Sequence, residues 1–155
     1  MNKYVIGFIA GFIATLLFHQ PALATLAAVG FVKAGVYSMQ ATQPLGVPAV
    51  LSLSFWGGVW GILFVAIEKR FPQGAAYWLC AFAFGALGPT LVAWFVVAPI
   101  KGLPLAGGWQ LPRMITGLLI NGAWGVGTAL SFVLWQRTWG ARASASPNRG
   151  SEAHD

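Results

Sequence analysis

Four long apolar stretches alternate with shorter polar segments along the chain. The predicted spans are approximately residues 4–32, 48–67, 76–99 and 112–135. Each reaches the ~20 apolar residues that cross a hydrocarbon core of ~30 Å. Because an unpaired backbone amide costs several kcal/mol in lipid, each span should be an α-helix. The pattern therefore predicts an all-α integral membrane protein, whose four transmembrane helices form one domain of residues 1–139.

The segment after the fourth span loses this apolar character. Residues 140–155 are mostly alanine, serine, arginine and other small or polar types. Such a segment cannot bury enough apolar surface to offset the entropy of ordering it. We therefore predict that residues 140–155 form a disordered tail.

A four-residue motif of the second span recurs in the fourth span. The offset is 64 residues throughout (112 − 48), and the matched residues are Pro48, Gly58, Trp60, Gly61, Pro112, Gly122, Trp124 and Gly125. The first and third spans agree only weakly in this frame. Because two spans separate the copies, each copy enters the membrane from the same side, which predicts two parallel helical-hairpin repeats. We interpret the repeated residues as packing positions, with the tryptophans set against Gly58 and Gly122.

Small residues spaced four apart lie on every predicted helix. The pairs are Gly7 and Gly11, Gly57 and Gly61, Ala81 and Gly85, and Ala123 and Gly127. Helix backbones approach closely only where side chains are short, so these pairs predict helix contacts. Prolines inside two of the spans predict bends, because proline removes a backbone hydrogen bond. Pro21 should free the carbonyl of Leu17, and Pro89 should bend the third helix.

Charged residues are few and lie at the edges of the spans. Hydrophobic residues make up 57% of the chain and charged residues 8%, which is too apolar for a water-soluble globule of 155 residues. Basic residues exceed acidic ones and give a net charge of +6. They are scattered and form no continuous basic patch, so we expect no nucleic-acid partner.

The distribution of Lys and Arg predicts the topology. Six basic residues fall on one side of a four-span arrangement, namely Lys3, Lys69, Arg70, Arg137, Arg142 and Arg149. Three fall on the other side, namely Lys33, Lys101 and Arg113. By the positive-inside rule, both termini are expected in the cytoplasm. The expected location is the inner (plasma) membrane of a bacterium.

The first span also resembles a signal peptide. Lys3, the apolar run 4–18 and the triplet Ala22-Leu23-Ala24 have the order of an n-region, an h-region and a cleavage site. Apolar sequence continues past the triplet to Val32, and cleavage would break the two-plus-two repeat. We therefore favour an uncleaved first helix, with cleavage after Ala24 as the alternative.

Ionisable side chains that could support catalysis are scarce. The acidic residues are Glu68 in a predicted turn and Glu152 and Asp155 in the tail. Paired-carboxylate catalysis and carboxylate metal sites therefore lack their groups, and the sequence carries no nucleotide-binding or zinc motif. We expect no metal and no cofactor. An enzyme is the least favoured function, because only His19 could act as an acid or base within a span.

Six polar residues inside the spans form the candidate site. They are His19, Gln20, Ser52, Ser54, Thr90 and Asn121. A rise of ~1.5 Å per residue places them all in the outer half of the membrane, with His19 ~24 Å from the cytoplasmic end of its helix. In the functional interpretation they line an outward-facing cavity, with His19 as its titratable group. In the packing interpretation, His19 donates to a carbonyl freed by a proline and Asn121 bridges two helices.

The residue pattern is compatible with two functions of different classes. The first is a small channel, carrier or binding protein for a neutral or weakly charged solute, which acts as an oligomer because four short helices enclose little space. The second is a non-catalytic accessory or assembly subunit, whose glycine and tryptophan faces dock other membrane helices. The expected partners are the lipid bilayer and either further copies of this chain or other membrane proteins.

Reporter fusions test the four-span topology. The bias of six basic residues against three predicts that fusions at Phe71 and at the C-terminus read cytoplasmic, and that a fusion at Gly107 reads external. A C-terminal fusion that reads external would contradict the four-span arrangement. A mature N-terminus at Thr25 would establish the signal-peptide alternative instead.

Overall fold

Four helices form most of the molecule. The computed structural model describes residues 2–144, and within them four helices are long and apolar enough to cross a membrane. They are α1 (Lys3–Ala28), α2 (Ala49–Arg70), α3 (Ala75–Ile100) and α4 (Leu111–Ser144). The prediction of an all-α chain with four helices long and apolar enough to span a membrane is therefore confirmed.

Glycine ends α1 and α3 by the same local motif. The amide of Phe31 donates to the carbonyl of Leu26 at 2.9 Å, across Gly30, whose φ is +73°. This is a Schellman motif, in which a left-handed glycine lets the chain turn back and pair the last free carbonyls. Gly102, with a φ of +66°, ends α3 in the same way. The motif stops α1 at Ala28, four residues (32 − 28) short of the predicted end of the span.

The fourth helix continues beyond its predicted boundary. It runs to Ser144, so residues 140–144, which we predicted to belong to the tail, are helical. Alanine and arginine dominate this segment, and both are strong helix formers. Residues 145–155 of the predicted tail lie outside the described residues.

Two turns of π-helix interrupt the odd-numbered helices. They comprise Thr15–His19 in α1 and Ala93–Val97 in α3, and each ends two residues before a proline, Pro21 or Pro99. Wider π turns often occur where a helix must accommodate a missing hydrogen bond or a crowded ring. The distortion of α1 lies where Pro21 predicted a bend, whereas that of α3 lies four residues beyond Pro89.

Glycines bring α1 and α2 into backbone contact. A Cβ added at Gly7 would lie 2.7 Å from the carbonyl oxygen of Gly61, and one added at Gly11 would overlap the carbonyl oxygen of Gly57. The order of these pairs makes the two helices antiparallel. The small-residue pairs of α1 and α2 therefore form the predicted contact.

The contact between α3 and α4 has a similar construction. Gly85 faces the backbone of Gly125, with 2.8 Å between an added Gly85 Cβ and the Gly125 Cα. Gly127 of the predicted α4 pair lies instead against the ring of Phe18 in α1. Phenylalanines, and not the predicted tryptophans, are nearest to the repeated glycines: Phe8 covers Gly58, and Phe82 covers Gly122.

Side chains join the two hairpins. A buried cluster contains residues of all four helices, namely Ile6, Ala10, Phe64, Val65, Ala81, Ala129 and Phe132. Trp124, only 2% exposed, donates its indole N–H to the carbonyl of Gly11 at 2.9 Å. Trp60 is half-buried and packs against Phe84, with 6.0 Å between ring centroids. Hence α1 and α4 share a buried hydrogen bond, whereas α2 and α3 meet through aromatic rings.

Residues 29–48 and 101–110 connect the helices at one end of the bundle, here called the connection end. The first connection contains two short antiparallel strands, β1 (Ala41–Thr42) and β2 (Val47–Pro48). The second contains a left-handed turn that begins at Ala106, whose φ is +46° and whose side chain is fully buried. Neither feature followed from the hydropathy pattern.

Alanine substitution of Gly61 should test the backbone contact. Ala is preferred over Gly in a helix by about 1 kcal/mol, but here its Cβ would meet the Gly7 carbonyl oxygen. We expect Gly61→Ala to lower the free energy of unfolding in mixed micelles by about 1–3 kcal/mol through overpacking. Gly35→Ala is the matched control, because a Cβ at Gly35 meets nothing within 4 Å. Equal stability of the two variants would contradict the contact.

Candidate functional site

Thr90 and Asn121 form a polar bridge between α3 and α4. The Asn121 side-chain amide donates to Thr90 Oγ1 at 2.9 Å, and this hydroxyl donates to the carbonyl of Gly117 at 3.2 Å. Thr90 is 1% exposed. Both side chains therefore hold neighbouring helices together, as the packing interpretation of Asn121 expects.

The two serines of the candidate site lie on α2. Ser54 is fully buried and donates its hydroxyl to the carbonyl of Val50 in the same helix at 2.8 Å. Ser52 is half-buried. Donation to the carbonyl four residues earlier is the usual way for a helical hydroxyl to be paired in an apolar environment. Ser54 therefore has its donor satisfied within its own helix.

Gln20 binds a residue of the first connection. Its side-chain Oε1 accepts the backbone N–H of Tyr37 at 2.8 Å, and Gln20 is 4% exposed. The hydroxyl of Tyr37 in turn donates to the carbonyl of Leu16 at 2.7 Å. Tyr37 thus makes two hydrogen bonds to α1, although sequence reasoning did not include it among the candidate residues.

The π turn explains why Tyr37 bonds to Leu16. In the turn, the amide of Gln20 donates to the carbonyl of Thr15, five residues earlier. The next bond in this pattern would run from residue 21 to Leu16, but Pro21 has no N–H. In this pattern the proline therefore leaves the carbonyl of Leu16 without its backbone donor, and the hydroxyl of Tyr37 donates to it. In the sequence, the only features that point to this bond are Pro21, which must leave a carbonyl of α1 without its donor, and a tyrosine in the following connection.

Among the buried residues of the candidate site, His19 is the one with a side-chain polar atom that has no hydrogen-bond partner in the described part of the chain. It is 7% exposed, and its Nδ1 has no hydrogen-bond partner within residues 2–144. The π turn that carries it packs against both α2 and α4. The predicted donation from His19 to a proline-freed carbonyl is not the observed arrangement: Nδ1 has no partner, and the donor to the carbonyl of Leu16 is the Tyr37 hydroxyl.

The four candidate residues with hydrogen bonds fall into separate groups and do not form one network. Within the described part of the chain, Thr90 pairs with Asn121, Gln20 with Tyr37, and Ser54 with its own helix. Buried Thr15 and Thr116 also bond to their own helices and were not among the candidates. The arrangement offers neutral hydrogen-bonding groups and one imidazole. Among residues 2–144, no group of three His, Cys, Asp or Glu residues lies close enough to hold a metal ion.

Comparison of the chain with protein-family models, with curated proteins and with solved structures finds no match. No relative therefore assigns a role to any residue. The geometry of the buried polar groups is the basis for the function proposed below.

A double-mutant cycle tests the pairing of Tyr37 with the carbonyl that Pro21 frees. Tyr37→Phe should lower the free energy of unfolding by about 1 kcal/mol, the net value of a typical hydrogen bond. In a Pro21→Ala background the loss should be smaller, because the new amide of residue 21 can donate within the helix. Equal losses in the two backgrounds, measured by denaturation in mixed micelles, would show that the tyrosine hydroxyl does not compensate for the proline.

Proposed function

We propose that this chain is a membrane channel, carrier or binding protein for a small neutral or weakly charged solute, and that the solute binds at His19. One observation carries the proposal: the Nδ1 atom of His19 is buried and has no hydrogen-bond partner within the described residues. The buried side chains of Gln20, Ser54 and Thr90, by contrast, are all bonded. Among these candidate residues, His19 is therefore the one at which a bound polar group would form a hydrogen bond that the protein itself does not supply.

The energetic reason lies in the imidazole ring. A neutral imidazole has one nitrogen that donates and one that accepts. A buried polar atom without a partner loses about 1–3 kcal/mol relative to a bonded one. A hydroxyl, an amide or a water molecule that reaches Nδ1 would recover this free energy. A solute with such a group therefore binds with a preference for this position.

Two other side chains within residues 2–144, those of Thr128 and Tyr77, also have a buried oxygen without a hydrogen-bond partner. Thr128 Oγ1 belongs to a fully buried side chain in α4 and carries a hydroxyl, which cannot titrate near neutral pH as an imidazole can. Tyr77 Oη belongs to a residue in the first turn of α3, close to the end of the helix. Neither residue is part of the candidate site, so His19 remains the position of interest.

The charges around the connection end define the class of solute. Lys33, Lys101 and Arg113 are exposed there, and residues 29–48 and 101–113 include no acidic residue. A positive potential attracts anions, including the ionised form of a weak acid, and repels cations, but it acts little on neutral molecules. A neutral solute or a weak acid therefore fits the site better than an amine.

We further propose that the chain consists of two parallel helical-hairpin repeats with both termini in the cytoplasm of a bacterium. The contacts of Phe8 with Gly58 and of Phe82 with Gly122 support this arrangement. Equivalent residues of α2 and α4 are 64 positions apart in the chain (122 − 58). Equivalent residues of α1 and α3 are 74 positions apart (82 − 8). The difference of 10 equals that between the connections of residues 29–48 and 101–110, which contain 20 and 10 residues. A change in connection length thus accounts for the weak match of the first helices in a single frame.

An accessory or assembly role is the second candidate. Only 22% of the apolar stretch of α3 is buried against the rest of the chain, compared with 44% of that of α1. A second copy or another membrane protein could cover this surface. Such a subunit would need no solute site, so the solute measurement below separates the two functions.

Flux through proteoliposomes should test the role of His19. The probes are glycerol, urea, acetamide and acetic acid, each followed by stopped-flow light scattering. We expect faster permeation of at least one probe than in protein-free vesicles, and a loss of most of that increment in His19→Ala. The reason is that the substitution removes the buried, unpartnered polar atom of the candidate site. The amount of folded protein should stay nearly unchanged.

The control for this experiment is His154→Ala, which removes the other histidine of the chain. It should permeate like the wild type. Reduced stability with unaltered flux in His19→Ala would remove His19 from the site. A wild-type protein that accelerates no probe would favour the accessory role.

A further inference from the structure

The first connection is attached to two helices by neighbouring residues. Tyr37 bonds to α1 through its amide and its hydroxyl, with Gln20 and Leu16 as acceptors. The next residue, Ser38, accepts the amide of Val50 in α2 at 2.9 Å. Residues 37–38 therefore bridge from α1 to α2 across the connection end of the bundle. We call residues 37–38 the strap.

The strap crosses the helices at the level of His19. Its two acceptors on α1, Leu16 and Gln20, lie three residues before and one residue after His19 in the chain. The π turn with His19 packs against α2, which receives the other end of the strap. His19 itself is 7% exposed, whereas Tyr37 is 44% exposed. The strap is thus bonded to α1 on both sides of His19 in the chain, and it is itself more exposed than the histidine.

The conformation of Tyr37 depends on its hydrogen bonds. Its φ is +49°, in the left-handed region that non-glycine residues rarely adopt. A backbone held in such a region persists only when surrounding contacts enforce it. Here the two bonds to α1 are those contacts. Removing one of them should favour release of the strap.

From these contacts we propose that Tyr37 is a positioning residue that closes the route from the connection end to His19. The inference rests on the proposed function, because it treats His19 as the binding position. Solute reaches His19 when the strap opens, and the bonds of Tyr37 set how often this happens. Local openings of this kind are a general property of weakly attached segments.

Chemical labelling of His19 tests the proposal without the use of a solute. Diethyl pyrocarbonate acylates neutral imidazole, and peptide mass spectrometry measures its reaction at His19 separately from that at His154. Tyr37→Phe should raise the labelling rate of His19, relative to His154, about fivefold, the factor that corresponds to a net hydrogen bond of about 1 kcal/mol. Gln20→Leu removes the acceptor of the Tyr37 amide and should act in the same direction.

The matched control is Tyr4→Phe, which removes a hydroxyl from an exposed tyrosine at the other end of α1. It should leave the ratio of labelling rates unchanged. Equal labelling in Tyr37→Phe and wild type, or an equal rise in Tyr4→Phe, would overturn the proposal. The flux of His19→Ala is measured separately. The labelling experiment can therefore disprove the role of the strap while the flux experiment still supports binding at His19.

A wild-type measurement keeps the proposal testable if the variants do not fold. Opening of the strap must expose both His19 and the Tyr37 amide. The protection of His19 from labelling should therefore agree, within about tenfold, with the protection of the Tyr37 amide from hydrogen exchange. An unprotected His19 beside a protected Tyr37 amide would show that reagent reaches the histidine by another route.

Discussion

Every peptide group inside a lipid bilayer must find its hydrogen-bond partner within the protein, because no water is present to supply one. This constraint explains most of the polar contacts in the chain. The π turn before Pro21 leaves the carbonyl of Leu16 free, and Tyr37 returns from the following connection to pair with it. Glycines in left-handed conformations at the ends of α1 and α3 pair their last carbonyls. Among the buried residues of the candidate site within residues 2–144, His19 has a polar atom, Nδ1, that this pairing leaves without a partner.

Close packing of backbones gives these polar contacts a fixed frame. Gly11 and Gly57 allow α1 and α2 to touch, and the indole of Trp124 donates to the Gly11 carbonyl at that crossing. That carbonyl also accepts the hydroxyl of Thr15, in the first residue of the π turn. The turn that carries His19 thus begins beside one of the close backbone contacts of the bundle. A small displacement there would change the surroundings of the histidine, which links helix packing to the proposed binding position.

Sequence reasoning predicted the parts of the fold that depend on local composition. Four apolar stretches gave the four helices, and the glycines of α1 and α2 gave their contact, because hydropathy and side-chain size act directly on lipid burial and helix approach. It did not predict the early end of α1, since that depends on the left-handed conformation of Gly30. It assumed an α-helix at Pro21 and named the carbonyl of Leu17, so it missed the π turn and the carbonyl of Leu16, to which Tyr37 donates. The same limit hid Tyr37, whose role exists only after the first connection has folded back onto α1, and the pairing of Phe8 with Gly58, which depends on the relative rotation of two helices.

The central claim is that His19 Nδ1 is a position for a bound group. An experimental structure of the protein, purified with native lipids and solved at a resolution that shows ordered water, tests it most directly. The account predicts density for a solute, a lipid group or a water molecule within hydrogen-bond distance, ~3 Å, of His19 Nδ1. An imidazole ring bonded through Nδ1 to a backbone carbonyl or a side chain of this chain, with no space for a further group, would contradict the account.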